Sequence, residues 1–208
     1  MAKPAPIIPL DQWLASVKWM SPEEFLAGGA AHRLSPVRRA LLTTDGSTTT
    51  FLHALCMKPI TLEVADQQTV RLPPLLAGWL ESGPEASPPE HEALALQRSV
   101  WLTDGARRLA LGRSLIALHR LEPALHRQLI AETQPIGLLA NELGLPSQRD
   151  RLQIGSVADA DLAKQFGASS AFAAEPLWCR RYRLRIPGAL TAAIIEVFPP
   201  DLEFEPSA

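Results

Sequence analysis

Two stretches in which strand-like sequence turns back on itself through a glycine restrict this chain more than any other feature. Ser99 to Thr103 is followed by Asp104-Gly105 and then by Arg108 to Leu118; Arg181 to Ile186 is followed by Pro187-Gly188 and then by Leu190 to Phe198. Glycine supplies the positive φ that a tight turn demands, and apolar-rich runs on both sides predict an antiparallel hairpin at each place. Ile60 to Val64 alternates apolar and polar residues, and the pattern predicts pairing with Thr69 to Leu72 across an Asp66-Gln67-Gln68 turn. Helices fall between these segments. Ser21-Pro22-Glu23-Glu24 is a capping-box start, and Ser35-Pro36 opens a short helix through Val37 to Leu42. Further helices are predicted from Pro123 to Glu132 and from Pro135 to near Gly144. Strands joined as hairpins, with helices inserted in blocks, predict an α+β fold with a single antiparallel sheet and helices packed on it.

Length and charge narrow the function classes. A chain of 208 residues, 47% hydrophobic, suffices for one well-buried core, so residues 1–208 read as one domain. Glu81 to Pro89 reads as a loop within it, and residues 1–36 as an N-terminal extension. Twenty basic against 22 acidic side chains argue against a broad nucleic-acid footprint. The cluster Arg180, Arg181, Arg183 and Arg185 is still able to bind a small anion. Cys56 and Cys179 provide neither a disulfide framework nor a CxxC spacing. The opening MAKPAPIIPL is broken by three prolines and does not read as a signal peptide, and no apolar run reaches the ~18 residues of a membrane span. A cytoplasmic protein outside the membrane is the expectation.

Four places can carry chemistry. In Leu190 to Phe198 the strand period puts Ile194, Glu196 and Phe198 on one face and Ala193, Ile195 and Val197 on the other. Glu196 is therefore either a desolvated carboxylate suited to proton transfer, or an edge-strand residue facing water or an Arg of the facing strand. Arg98, ahead of Val100 and Leu102, is a surface strand end or a bidentate carboxylate clamp. Gln134-Pro135-Ile136-Gly137 is a helix start whose N–H groups either bind an anion or are capped by water or Thr133. Thr43 to Thr50 reads as a hydroxyl-rich turn. Dinucleotide, P-loop, HExxH and GxSxG motifs are absent, and the five histidines show no metal-ligand spacing.

The order of these pieces resembles one family. Trp178-Cys179-Arg180-Arg181-Tyr182-Arg183-Leu184-Arg185-Ile186-Pro187-Gly188, followed by Glu196-Val197-Phe198-Pro199, closely resembles the end of the chorismate lyases. Arg98, Asp104-Gly105 and Gly112-Arg113 resemble the family's central hairpin. Gln134-Pro135-Ile136-Gly137 resembles its Pro-apolar-Gly turn, and Gly46-Ser47-Thr48-Thr49 its N-terminal turn. The match runs from about Val37 to Pro200, with little counterpart for residues 1–36 or Glu81 to Pro89. The family often has an apolar residue at the place of Thr48, which leaves Ser47 as the alternative register, and relatives carry an Arg where Leu138 stands.

The resemblance implies elimination of pyruvate from chorismate to give 4-hydroxybenzoate, the ring precursor of ubiquinone. It implies helical flaps over an internal ligand pocket, a monomer, and no metal or organic cofactor. Carried over, Arg98 would hold the ring carboxylate and Glu196 would face the ring hydroxyl. Ile136 and Thr48 (or Ser47) would contribute mainly backbone contacts at the flaps. Two other readings use the same residues. One is a non-catalytic small-molecule sensor, for which residues 1–36 are too short and too weakly basic to supply a DNA-binding helix-turn-helix of about 60 residues. The other is a chorismate-using enzyme with a different hydroxybenzoate product.

Overall fold

The computed structural model describes residues 15–73, 76, 80, 94–131, 136, 139, 144–167, 175–200 and 202. Near the start, local capping chemistry sets the helices. Ser21 Oγ accepts from the Glu24 N–H at 3.1 Å while Glu24 Oε2 accepts from the Ser21 N–H at 2.7 Å, so the capping box forms ahead of α1 (Pro22–Ala27). A short α2 (Gly29–His32) follows, and Ser35 caps α3 (Pro36–Thr43). The polar stretch after it is not wholly a turn. Ser47 Oγ accepts from the Thr50 N–H, and α4 (Thr48–Cys56) begins at Thr48. A hydroxyl run that reads as a turn is also a good N-cap when Phe51 and Leu52 follow to pack.

Six strands form one sheet: β1 (Thr61–Arg71), β2 (Leu94–Thr103), β3 (Arg108–Ala117), β4 (Gln148–Val157), β5 (Leu177–Ile186) and β6 (Leu190–Phe198). Their order is β1-β2-β3-β6-β5-β4, with every pair antiparallel. The two glycine-turn hairpins are β2–β3 and β5–β6, and Gly105 and Gly188 take φ of 87° and 73°. The expected turn at Asp66-Gln67-Gln68 does not occur. Residues 61–71 run as one strand along β2, with a register shift between Val64 and Asp66. That segment contains no Gly, Pro or Asn to reverse the chain, and a ten-residue partner offers a continuous ladder.

Strand β4 and the helix α6 (Ala160–Phe166) were not anticipated from the sequence. α5 (Pro123–Ala131) lies where a helix is expected. The Glu81 to Pro89 loop lies outside the described residues, as does most of the Pro135 to Gly144 helix, of which Ile136 and Leu139 are helical and buried. No described helix is long and apolar enough to cross a membrane.

The two faces of the sheet are covered differently. One carries a continuous apolar cluster, in which Trp101, Leu111, Leu115, Ile195 and Val197 pack with Leu162 and Phe166 of α6, with Arg113, Arg181 and Arg183 on the same face. The other carries two separate clusters. At one end Leu102, Trp178 and Phe198 pack under Phe25, Leu41 and Leu52 of α1, α3 and α4. At the other, Leu96, Ile116, Leu184 and Ile194 pack under Leu125 and Leu129 of α5. Between the clusters each central strand presents a polar or small residue: Arg98 on β2, Gly112 and Ser114 on β3, Glu196 on β6 and Arg180 on β5.

Candidate functional site

A cavity of about 80 Å³ opens on that middle band, several times the space one water needs. Arg98, Glu196, Thr48, Ser47 and Ile136 all line it. Sheet register explains why residues so far apart in sequence meet. Arg98 pairs with Ser114, Ser114 with Ile194, and Ile194 with Tyr182, while Glu196 lies in the neighbouring row between Gly112 and Arg180. A side chain at Gly112 would crowd Val100, its Cβ falling 3.2 Å from Val100 Cγ2. Glycine there keeps the floor low.

Glu196 does not lie on an edge, since β6 runs between β3 and β5. Its carboxylate is 8% exposed and accepts three hydrogen bonds. Oε2 accepts from Arg180 Nε at 2.7 Å and from Thr48 Oγ1 at 2.6 Å; Oε1 accepts from the Tyr182 hydroxyl at 3.2 Å. Arg180 Nη2 also reaches Thr48 Oγ1, at 2.6 Å. Because a guanidinium only donates, the Thr48 hydroxyl accepts from Arg180 and gives its proton to Glu196. Thr48 thus enters the site by its side chain, where the resemblance implied mainly its backbone.

Arg180 is wholly buried, and its Nη1 donates to the carbonyls of Leu41, at 2.8 Å, and of Thr44. These carbonyls stand at the end of α3, where a cation suits the negative pole of the helix. One guanidinium therefore fixes both Glu196 and the helices that roof it. Tyr182 sits over this network with the Arg180 guanidinium 5.4 Å from its ring centroid. Burial, with the Glu196 charge beside it, pushes the Tyr182 hydroxyl far above the ordinary tyrosine range, so it remains a donor.

Arg98 stands at the other side of the cavity, 2% exposed. Desolvation lowers its pKa from the ordinary guanidinium value, the mark of a cation held away from water. It is not a surface strand end. Arg149 also lines the cavity, so with Arg98 two cations face the single carboxylate. Such a site suits an anionic ligand with a group that hydrogen-bonds to a carboxylate.

Arg180, Tyr182 and Arg149 are parts of the site that the sequence does not assign to it, Arg180 standing there only within an arginine cluster. The first two were open to the alternation rule, since residues 180 and 182 share a face and 181, 183 and 185 share the other. The run of four arginines accordingly does not gather around one anion. Arg180 pairs with Glu196, Arg181 Nε donates to Gln153 at 2.8 Å, and Arg183 and Arg185 both pair with Asp150.

Comparison with known proteins bears on the family and the fold. The family model described as chorismate pyruvate-lyase Rv2949c-like matches residues 42–205. No curated protein sequence matches the chain significantly. Among solved structures, the effector domain of PhnF from Mycobacterium smegmatis superposes with a TM-score of 0.56 at 16% identity, over 76% of this chain and 91% of that one. The ligand-binding domain of a protein described as a GntR-family transcriptional regulator from Bordetella bronchiseptica gives 0.53 at 14% identity, over 72% and 92%. At such identities the likeness is one of fold.

Proposed function

The chain belongs to the Rv2949c-like chorismate pyruvate-lyase family, and on that premise we propose that it eliminates pyruvate from chorismate to give 4-hydroxybenzoate. The observation that carries this reading is the placement of buried Arg98 and buried Glu196 at two sides of one cavity. With strands about 4.8 Å apart, a two-strand, two-residue offset separates their backbones by about 12 Å. Side chains reaching inward from both leave the gap that one ring with substituents at opposite ends spans.

In the reaction the ether bond to the enolpyruvyl group breaks, the adjacent ring carbon loses its proton, and the ring becomes aromatic. The enolpyruvyl fragment gains a proton on its methylene carbon and leaves as pyruvate. Aromatisation drives this, so orientation and charge placement are what the protein supplies. Arg98 holds the ring carboxylate. Glu196, with Oε2 committed to Arg180 and Thr48, accepts the ring hydroxyl at its remaining Oε1 lone pair and orients it. Ser47 and Ile136 close the wall. On this reading the chain works in the cytoplasm as a monomer, without metal or organic cofactor, at the first committed step toward ubiquinone.

A second reading is favoured by the structural neighbours, which are described as effector or ligand-binding domains of regulators. The same cavity would then bind its ligand without consuming it. The placement of the ring is common to both and is tested first by calorimetric titration of Arg98→Ala with 4-hydroxybenzoate. Loss of the buried partner should cost on the order of 2–5 kcal/mol of binding, with Arg98→Lys rescuing poorly for want of bidentate geometry. Binding equal to the parent would remove Arg98 from the site.

A further inference from the structure

We infer that Arg149 recognises the second, enolpyruvyl carboxylate of the substrate, at a place created by an irregularity in β4; the inference rests on the lyase reading above. Along β4 the partners are Asp150 with Arg183 and then Gln153 with Arg181. Three steps on β4 thus oppose two on β5, which is one extra residue, a bulge. Arg151 lies inside it with φ of 58°. Ile154 pairs with Arg180 on the cavity face, and strict alternation back from it would turn Asp150 toward the cavity and Arg149 away. The extra residue inverts this. Arg149 pairs with the cavity-lining Leu184, and Asp150 turns to the other side, where its carboxylate takes Arg183 at 2.7 and 2.8 Å. The bulge gives the cavity a guanidinium where a regular strand would give it a carboxylate.

That guanidinium holds no carboxylate among the described residues, and its neighbour across the cavity wall is the Tyr182 hydroxyl, with which it hydrogen-bonds. Its Nη1 reaches Ser147 Oγ only at 3.5 Å, and its buried Nε has no hydrogen-bond acceptor among the described residues. Arg180, by contrast, is saturated by Glu196, Thr48 and two carbonyls.

The position fits the shape of the substrate. In chorismate the ether bearing the second carboxylate is on the ring carbon next to the hydroxyl, remote from the ring carboxylate. With the ring carboxylate at Arg98 on β2 and the hydroxyl at Glu196 on β6, the second carboxylate projects toward β5 and β4. Arg149 stands there, its guanidinium 5.9 Å from the centroid of the Tyr182 ring. Arg113 alternates with Leu111 and Leu115, which pack on the opposite face of the sheet, so it is not a rival for this place.

The test compares two ligands in one variant. In Arg149→Gln the KM for chorismate should rise about 10- to 100-fold. The affinity for 4-hydroxybenzoate, which lacks the second carboxylate, should stay within about twofold, and that retained affinity also reports a folded site. Arg149→Lys should recover part of the loss. If chorismate is bound but not consumed, its equilibrium affinity replaces KM and the same selective loss is expected. Equal losses for both ligands, or no loss for either, overturn the assignment and leave the lyase reading standing. A parent protein that binds neither ligand overturns both.

Discussion

Thr48 carries more of the site than its size suggests. Its hydroxyl both accepts from Arg180 and donates to Glu196, so Thr48→Val leaves two buried charged groups each one bond short. A loss of about 1–3 kcal/mol in folding stability is expected, with Thr48→Ser restoring most of it; denaturant midpoints measure both. Glu196→Ala should cost more, about 3–5 kcal/mol, because it strands buried Arg180. If Glu196 orients the hydroxyl, Glu196→Gln retains much of kcat, whereas proton transfer by Glu196 would bring a fall of roughly 10²–10⁴-fold. Tyr182 is the chain's single tyrosine, so its ionisation is read directly by ultraviolet absorbance. Its pKa is raised in the fold, so the stability it contributes is complete below the ordinary value near 10 and is lost as pH rises above it. Tyrosinate should therefore appear only as the chain unfolds in alkali; tyrosinate in the folded protein near pH 10 would contradict the buried hydrogen bond. The face of Glu196 was legible because strand period fixes it, whereas Arg98 read alone left a strand end and a clamp open and entered the site through the family resemblance. An Arg of the facing strand as a partner for Glu196 was legible too, and Arg180 is that residue; the bond to Thr48 was not, because it joins residues 148 positions apart through tertiary packing.

At the level of elements, the departures from expectation share a cause: local pattern does not report pairing. Residues 61–71 form one strand because β2 offers a ladder along their length, and nothing at Gln67 itself announces this. Strand β4 went unread because its sequence, Gln148-Arg149-Asp150-Arg151-Leu152-Gln153, is charged and the bulge breaks its alternation. Asp150 holds that edge to β5 through Arg183 and Arg185, and its carboxyl is kept below the ordinary range chiefly by the hydrogen bonds from Arg183. A carboxylate with a lowered folded pKa stabilises fully above its ordinary value and loses that contribution as pH falls through the folded one. Asp150→Asn should consequently be less stable than the parent at neutral pH, with the difference closing as pH drops below about 4. A difference that persists unchanged in acid would mean the ion pairs do not hold the edge. The two hairpins, in contrast, were legible to within a few residues, since a glycine turn between apolar runs is a local signal.

For the whole molecule, the antiparallel α+β class followed from those hairpins, but their union through β3 and β6 did not. That contact joins residues about 80 positions apart and creates the floor of the cavity, bringing Ser114 beside Ile194 and Gly112 beside Glu196. The roof depends on it in turn, because Arg180 ties the end of α3 to the same carboxylate. Two apolar clusters hold the sheet and helices together on either side, and the polar band between them offers the proposed anion both a cation and an acceptor. Whether that anion is consumed decides between lyase and sensor. Purified protein incubated with chorismate, with ring products resolved by chromatography and pyruvate assayed in parallel, measures this directly. The lyase reading requires 4-hydroxybenzoate and pyruvate in equal amounts over many turnovers, abolished or strongly reduced in Arg98→Ala. Chorismate recovered intact beside saturable binding, or a ring product other than 4-hydroxybenzoate, would contradict it.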